Sequence, residues 1–176
     1  MKNIILIIGI TFLSFGVMAQ GTVITNYFNK YANDDSFTKV SVSQKMFSLF
    51  TELEAGSDSE KEFLQAVSKL KGLKIIVADS IPNSMTIYKQ AVADVNKAGY
   101  EELMTVTGAD ENMLFSIKEA NGIISELIMV VGGKENFVML SLYGEIDLKN
   151  ISKIAQEMHV EGLEKLSEID ENDDKK

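Results

Sequence analysis

The stretch Asn112-Met113-Leu114-Phe115-Ser116-Ile117-Lys118-Glu119-Ala120-Asn121-Gly122-Ile123-Ile124-Ser125-Glu126-Leu127-Ile128-Met129-Val130-Val131 decides the fold class. Two runs rich in β-branched and large apolar residues flank Asn121–Gly122, a pair in which both residues accept a positive φ. That is what a two-residue type I′ turn requires, so the segment reads as a β-hairpin. Working outward, the Gly108–Glu111 loop and Gly132–Gly133 supply two further reversals. Strands are then expected over Tyr100–Thr107, Asn112–Glu119, Ile123–Val131 and Phe137–Ile146, forming a four-strand antiparallel meander.

If the Asn121–Gly122 turn alone sets the register, Ala120 pairs with Ile123, Phe115 with Ile128, and Leu114 with Met129. One face of the meander then carries Met104, Val106, Phe115, Ile117, Ile128, Val130, Phe137, Met139 and Tyr143. The other carries Leu103, Leu114, Ile123, Leu127, Met129, Val131, Val138, Leu140 and Leu142. A sheet with one wet face alternates apolar and polar residues. This one is apolar on both sides, so helices or another chain must close the second face.

Before the meander, Ile24, Tyr27, Phe28 and Tyr31 fall at helical spacing, and Asn33–Ser36 supply turn residues. Phe37–Ser43 alternates as a strand, and Met46, Phe47, Leu49 and Phe50 mark one face of a short helix. A loop over Glu54–Asp58 precedes a helix with Ser59 as its cap and Glu62 closing a capping box. Phe63, Ala66, Val67 and Leu70 form its apolar stripe, and Gly72 is expected to end it as a left-handed cap. A strand over Leu73–Ala78, a turn around Pro82, and a helix carrying Tyr88, Ala91, Val92 and Val95 follow, with Gly99 closing that helix. After the meander, Asp147 can cap a helix bearing Leu148, Ile151, Ile154, Ala155 and Met158, with Leu163 and Leu166 continuing the stripe. The expected fold is α+β: an antiparallel sheet with a C-terminal four-strand meander and helices packed mainly on one face.

The ends carry different information. Met1-Lys2-Asn3, the apolar run from Ile4 to Phe15, and Val17-Met18-Ala19 before Gln20 have the form of a cleavable signal peptide. The apolar run is shorter than the roughly twenty residues a spanning helix needs. Residues 1–19 are therefore expected to be removed, residues 20–167 to form one domain, and the charged stretch 168–176 to lie outside it. The predicted location is periplasmic or secreted, with no membrane anchor after cleavage.

Composition removes several classes of chemistry. All seventeen basic residues are lysines, set against twenty-six carboxylates for a net charge of −9, and they form no basic face. Nucleic acid is not an expected partner. The absence of cysteine excludes disulfides, a thiolate nucleophile and a lipid-modified cysteine anchor. His159 is the lone histidine; a multi-histidine zinc site is ruled out, and no motif ties His159 to a serine or carboxylate. Asp34–Asp35 and Asp110–Glu111 lack the ligand spacing of a calcium loop and read as turns. Gly132–Gly133–Lys134 joins two strands and lacks the spacing of a phosphate loop. Glu126 stands out, because the hairpin register places it beside Phe115, Ile128 and Met139. A carboxylate inside an apolar sheet is a functional-site candidate, with a solvated or lysine-paired position as the plainer reading. The nine methionines fit core filling better than an adaptable binding surface. No catalytic, cofactor-binding or metal residue is assigned.

The run Phe37-Thr38-Lys39-Val40-Ser41-Val42-Ser43 with Met46-Phe47 resembles the start of a family of small exported proteins from Bacteroidetes-type bacteria. Tyr100-Glu101-Glu102-Leu103-Met104, the Gly122–Val131 strand before Gly132, Gly144-Glu145-Ile146-Asp147-Leu148 and Ile151–Met158 extend the likeness. The family is a domain of unknown function, family 4252. The resemblance implies a periplasmic or secreted protein with no assigned activity and no site residues. Together these readings lead to a non-catalytic envelope protein that binds a protein partner or a second copy of itself. A small-molecule carrier, marked by an enclosed apolar cavity, and a carboxylate-dependent enzyme acting through Glu126 are the alternatives.

Overall fold

The computed structural model of the protein describes residues 22–51 and 56–147. The signal segment, His159, the helix expected after Asp147 and the charged tail lie outside these residues. The first helix, α1 (Thr22–Lys30), leads into edge strand β1 (Phe37–Ser43), and two short helices follow, α2 (Gln44–Phe50) and α3 (Asp58–Ser68). Strand β2 (Leu70–Ala78) and helix α4 (Ser84–Lys97) precede the meander of β3 (Glu101–Thr107), β4 (Glu111–Ala120), β5 (Ile123–Gly133) and β6 (Phe137–Ile146). All neighbours in the six-stranded sheet are antiparallel, in the order β1-β2-β6-β5-β4-β3. The last of the described strands, β6, therefore sits inside the sheet and joins the β1–β2 pair to the rest of the meander.

The Asn121–Gly122 turn forms as its residues dictate, with φ of 56° and 77°, and Ala120 pairs with Ile123. The register expected beyond it does not hold. Ser125 is an extra residue on β5, so Glu119 pairs with Ile124 but Lys118 pairs with Glu126, and Phe115 meets Met129 rather than Ile128. Leu114 likewise faces Val130, not Met129. A one-residue bulge turns every later side chain of one strand to the opposite face. Leu114 consequently lies on the face with Ile128, Val130, Phe137 and Met139, while Phe115 and Ile117 join Leu127, Met129, Val131 and Leu140. The Ser125 hydroxyl donates to the Lys118 carbonyl at 3.0 Å and fastens the bulge.

Helices α1 and α4 cover the first of these faces. Val23, Ile24 and Tyr27 of α1 and Ile87, Tyr88, Ala91 and Val95 of α4 are buried there with Ile76 and Phe137. The Tyr27 hydroxyl donates to Asp94 at 2.9 Å, tying the two helices together. Ser84, fully buried at the start of α4, donates to the carbonyls of Gly133 and Lys134 at 2.7 and 2.9 Å and pins that helix to the β5–β6 turn. Gly99 closes α4 with a φ of 76°. On the opposite face Phe115 and Leu127 are also buried, and α2 contributes Phe47 at the β1–β2 end. Both apolar faces of the meander are therefore closed.

Two local expectations are corrected. The cap of α3 is Ser57, not Ser59: Ser57 and Glu60 form the capping box, the Glu60 amide donating to Ser57 Oγ at 3.3 Å and the Ser57 amide to Glu60 Oε2 at 2.9 Å. The same spacing of serine and glutamate occurs two residues earlier, and the earlier pair wins. Gly72 caps no helix; α3 ends at Ser68, and β2 begins at Leu70, where a buried Leu70 serves the sheet. Gly72 is needed because the Tyr143 ring lies over it where a Cβ would stand.

Candidate functional site

Glu126 is the chemically distinctive residue of the sheet. The bulge at Ser125 and the alternation of β5 turn it to the α4 side with Ile128 and Val130, away from Phe115, and it is 2 % exposed. Across the strands it pairs with Lys118 on β4 and Tyr143 on β6. Its carboxylate accepts a 2.6 Å hydrogen bond from the Ser141 hydroxyl and another from the phenol of Tyr100. Tyr100 is placed by Gly99, whose left-handed turn carries the chain from α4 straight into β3. Burial first, and then the adjacent Glu126 carboxylate, push the Tyr100 phenol well above its ordinary range. It therefore stays a hydrogen-bond donor at physiological pH. The Lys118 ammonium lies 5.0 Å from the Tyr100 ring centroid and donates to the Ala98 carbonyl at 3.3 Å. Ser116, one strand away, is fully buried, and its Oγ has no hydrogen-bond partner among the described residues.

This arrangement holds a carboxyl group in place rather than presenting it to a substrate. Two hydroxyl donors already occupy Glu126, and the carboxylate is closed off from solvent. A general base needs free reach to a substrate proton. Ser141 donates its hydrogen bond directly to a carboxylate with no imidazole between, so the nucleophile–base–orienter order of a serine triad is not assembled. The polar cluster bolts the exit of α4 to the centre of the sheet.

The remaining candidates are turn and surface chemistry. Asp34 Oδ1 accepts from the Ser36 amide at 3.0 Å, closing the loop before β1. Asp110 forms an exposed 2.7 Å ion pair with Lys134, and Glu111 accepts from Asn136 at 3.4 Å. Gly132 and Gly133 lie at the end of β5, with the Tyr88 side chain packed on Gly132. Among the described residues no three acidic or histidine side chains cluster in a way that could hold a metal ion. No described helix is long and apolar enough to cross a membrane. Met129 and Met139 are core residues, whereas Met46 is not.

Sequence reasoning missed a second feature, at the β1–α2 corner. Val40, Met46 and Leu49 are 42 %, 46 % and 46 % exposed, and of the other large apolar residues only Ile123 at a hairpin tip is comparably bare among those described. Val40 pairs with Ile75, and Phe47 of α2 packs against the same buried cluster as Ile75 and Leu73, so the corner belongs to the face opposite α1 and α4. The spacing of Met46, Phe47, Leu49 and Phe50 marks one face of a short helix. A seven-residue helix at the end of a sheet has little to lean on, and it half-buries Phe47 while leaving Met46 and Leu49 outside. No sequence pattern distinguishes those two outcomes.

An α+β architecture built on one six-stranded antiparallel sheet, with a buried Glu126–Ser141–Tyr100 cluster at its centre, defines the class. The chain matches the family described as domain of unknown function DUF4252 over residues 31–154, and belongs to it. No curated protein and no solved structure matches the chain.

Proposed function

We propose that this is a non-catalytic exported protein that acts in the periplasm by binding a protein partner. The observation that carries the reading is the bare apolar corner of Val40, Met46 and Leu49, when of the other described large apolar residues only Ile123 is comparably exposed. Apolar groups gathered at one place on a surface mark contact sites. The closed network around Glu126 supports the non-catalytic half of the reading, and the form of residues 1–19 supports export.

Two measurements test it. Mass spectrometry of the protein from an expressing cell should find Gln20 as the first residue in the periplasmic fraction; an intact Met1 in the cytoplasm would refute export. Cross-linking in the envelope should yield a defined protein adduct that Met46→Lys and Leu49→Lys abolish while leaving the circular dichroism spectrum unchanged. An adduct indifferent to both changes would remove the corner as the binding site.

A further inference from the structure

Resting on that reading of the β1–α2 corner, we infer that its occupant is a second copy of this chain, joined by antiparallel pairing of β1 with β1 about a two-fold axis at Val40. Strand β1 ends the sheet, so one row of its backbone donors and acceptors has no strand partner among the described residues. Exposed edges are normally blunted by charges, bulges or proline. The opposite edge, β3, has such protection: it opens with Glu101 and Glu102 and carries a register shift between Glu102 and Met104. Strand β1 pairs with β2 over seven residues without a shift and contains no proline. Its one charge, Lys39, is turned back to donate to the Tyr31 carbonyl at 2.8 Å. Nothing on β1 guards it against another strand.

The sequence of β1 is also complementary to itself. Pairing about Val40 sets Val40 against Val40, Thr38 against Val42 and Lys39 against Ser41, so no like charges stand directly opposite. No carboxylate occurs from Ser36 to Thr51, in a chain of net charge −9. Two copies that repel overall can approach most closely at the stretch that carries none of the repelling groups. The two-fold also brings Met46 and Leu49 of each copy toward the seam on the same face as Val40. An isologous contact of this kind closes at two copies, whereas β1 on β3 would propagate into an open filament.

The absence of cysteine makes the test direct. Val40→Cys places the chain's only thiols opposite each other across the axis, at the separation of directly paired strand residues, which a disulfide spans. Under mild oxidation the purified variant should form a covalent dimer roughly ten-fold or more faster than Thr105→Cys on the β3 edge. Sedimentation equilibrium of the unmodified protein should show a monomer–dimer equilibrium that strengthens with added salt, since salt screens the net charge. Val40→Lys should leave a monomer with an unchanged spectrum. Equal cross-linking rates at the two edges, or a monomer at every concentration, would overturn the self-pairing. If Met46→Lys and Leu49→Lys still abolished an envelope adduct of another protein, the partner-binding reading would survive that failure. A salt-strengthened dimer with no heterologous adduct would keep the self-pairing and remove the other partner.

Discussion

Replacing Tyr100 with Phe removes one of two hydroxyl donors to a buried carboxylate, and the expected loss is about 1–3 kcal/mol of folding stability, read from a urea midpoint. Ser141→Ala should cost a similar amount. The double variant should depart from the sum of the two, because both donors serve the same Glu126 carboxylate. Independent, additive losses would show that the network is not one unit. Gly132 makes a separate prediction: a methyl there would overlap Tyr88 where α4 rests on β5, so Gly132→Ala should destabilise by about 1–3 kcal/mol. A neutral result would mean that α4 can lift from the strand. Both effects depend on contacts between residues far apart in the chain. Glu126 was visible in the sequence as an anomaly; its donors were not, because a serine and a tyrosine in strands look ordinary until the register is known.

For the elements, the turn and cap chemistry was legible wherever one residue type dominates. Asn121–Gly122, Gly99 and the turn at Pro82 fall where their backbone preferences put them. The start of α3 was misread by two residues, since Ser57–Glu60 and Ser59–Glu62 offer the same local signal. Ser57→Ala should cost about 0.5–2 kcal/mol by removing the N-cap acceptor, measured by thermal or urea unfolding. The larger error came from Ser125. A bulge has no strong sequence mark, and one extra residue inverted the first half of the meander relative to the second. Two placements also failed within the halves: Leu103, expected opposite Met104, packs with it beside Phe115 after the shift in β3, and Ile124 rather than Ile123 joins Leu127. The two-faced apolar pattern survived the inversion, so the conclusion that both faces need cover was sound. The strand order could not be read, because it depends on which edge of the meander accepts the β1–β2 pair.

Across the whole molecule, pH offers a test of the helix layer. Burial, and then the hydrogen bond to Asp94, raise the Tyr27 phenol far above its usual value near 10.0, as burial and Glu126 raise that of Tyr100. A group whose folded pKa is raised lends stability that is complete below its unfolded pKa and disappears as pH climbs from there toward the folded value. Stability should therefore be insensitive to these phenols below about pH 9 and fall steeply above about pH 10. Phenolate absorbance should show Tyr27 and Tyr100 ionising only as the fold is lost, and Tyr27→Phe should reduce the amplitude of that late step. Early, reversible ionisation of all five tyrosines in a folded protein would contradict the burial.

The position of β6 governs the order in which this molecule can be made. A chain that emerges N-terminus first, from a ribosome or a membrane pore, delivers β6 last among the sheet strands, yet β6 stands between β2 and β5. Until residues 137–146 arrive, the β1–β2 pair and the β3–β5 hairpins are two fragments, each with a bare inner edge. Hairpins close in microseconds, whereas the β2–β6 pairing, from Ala78 with Phe137 to Leu70 with Gly144, waits on a far longer and costlier loop. The sheet is completed from its middle, and for that interval the protein is most exposed to pairing with the wrong strand.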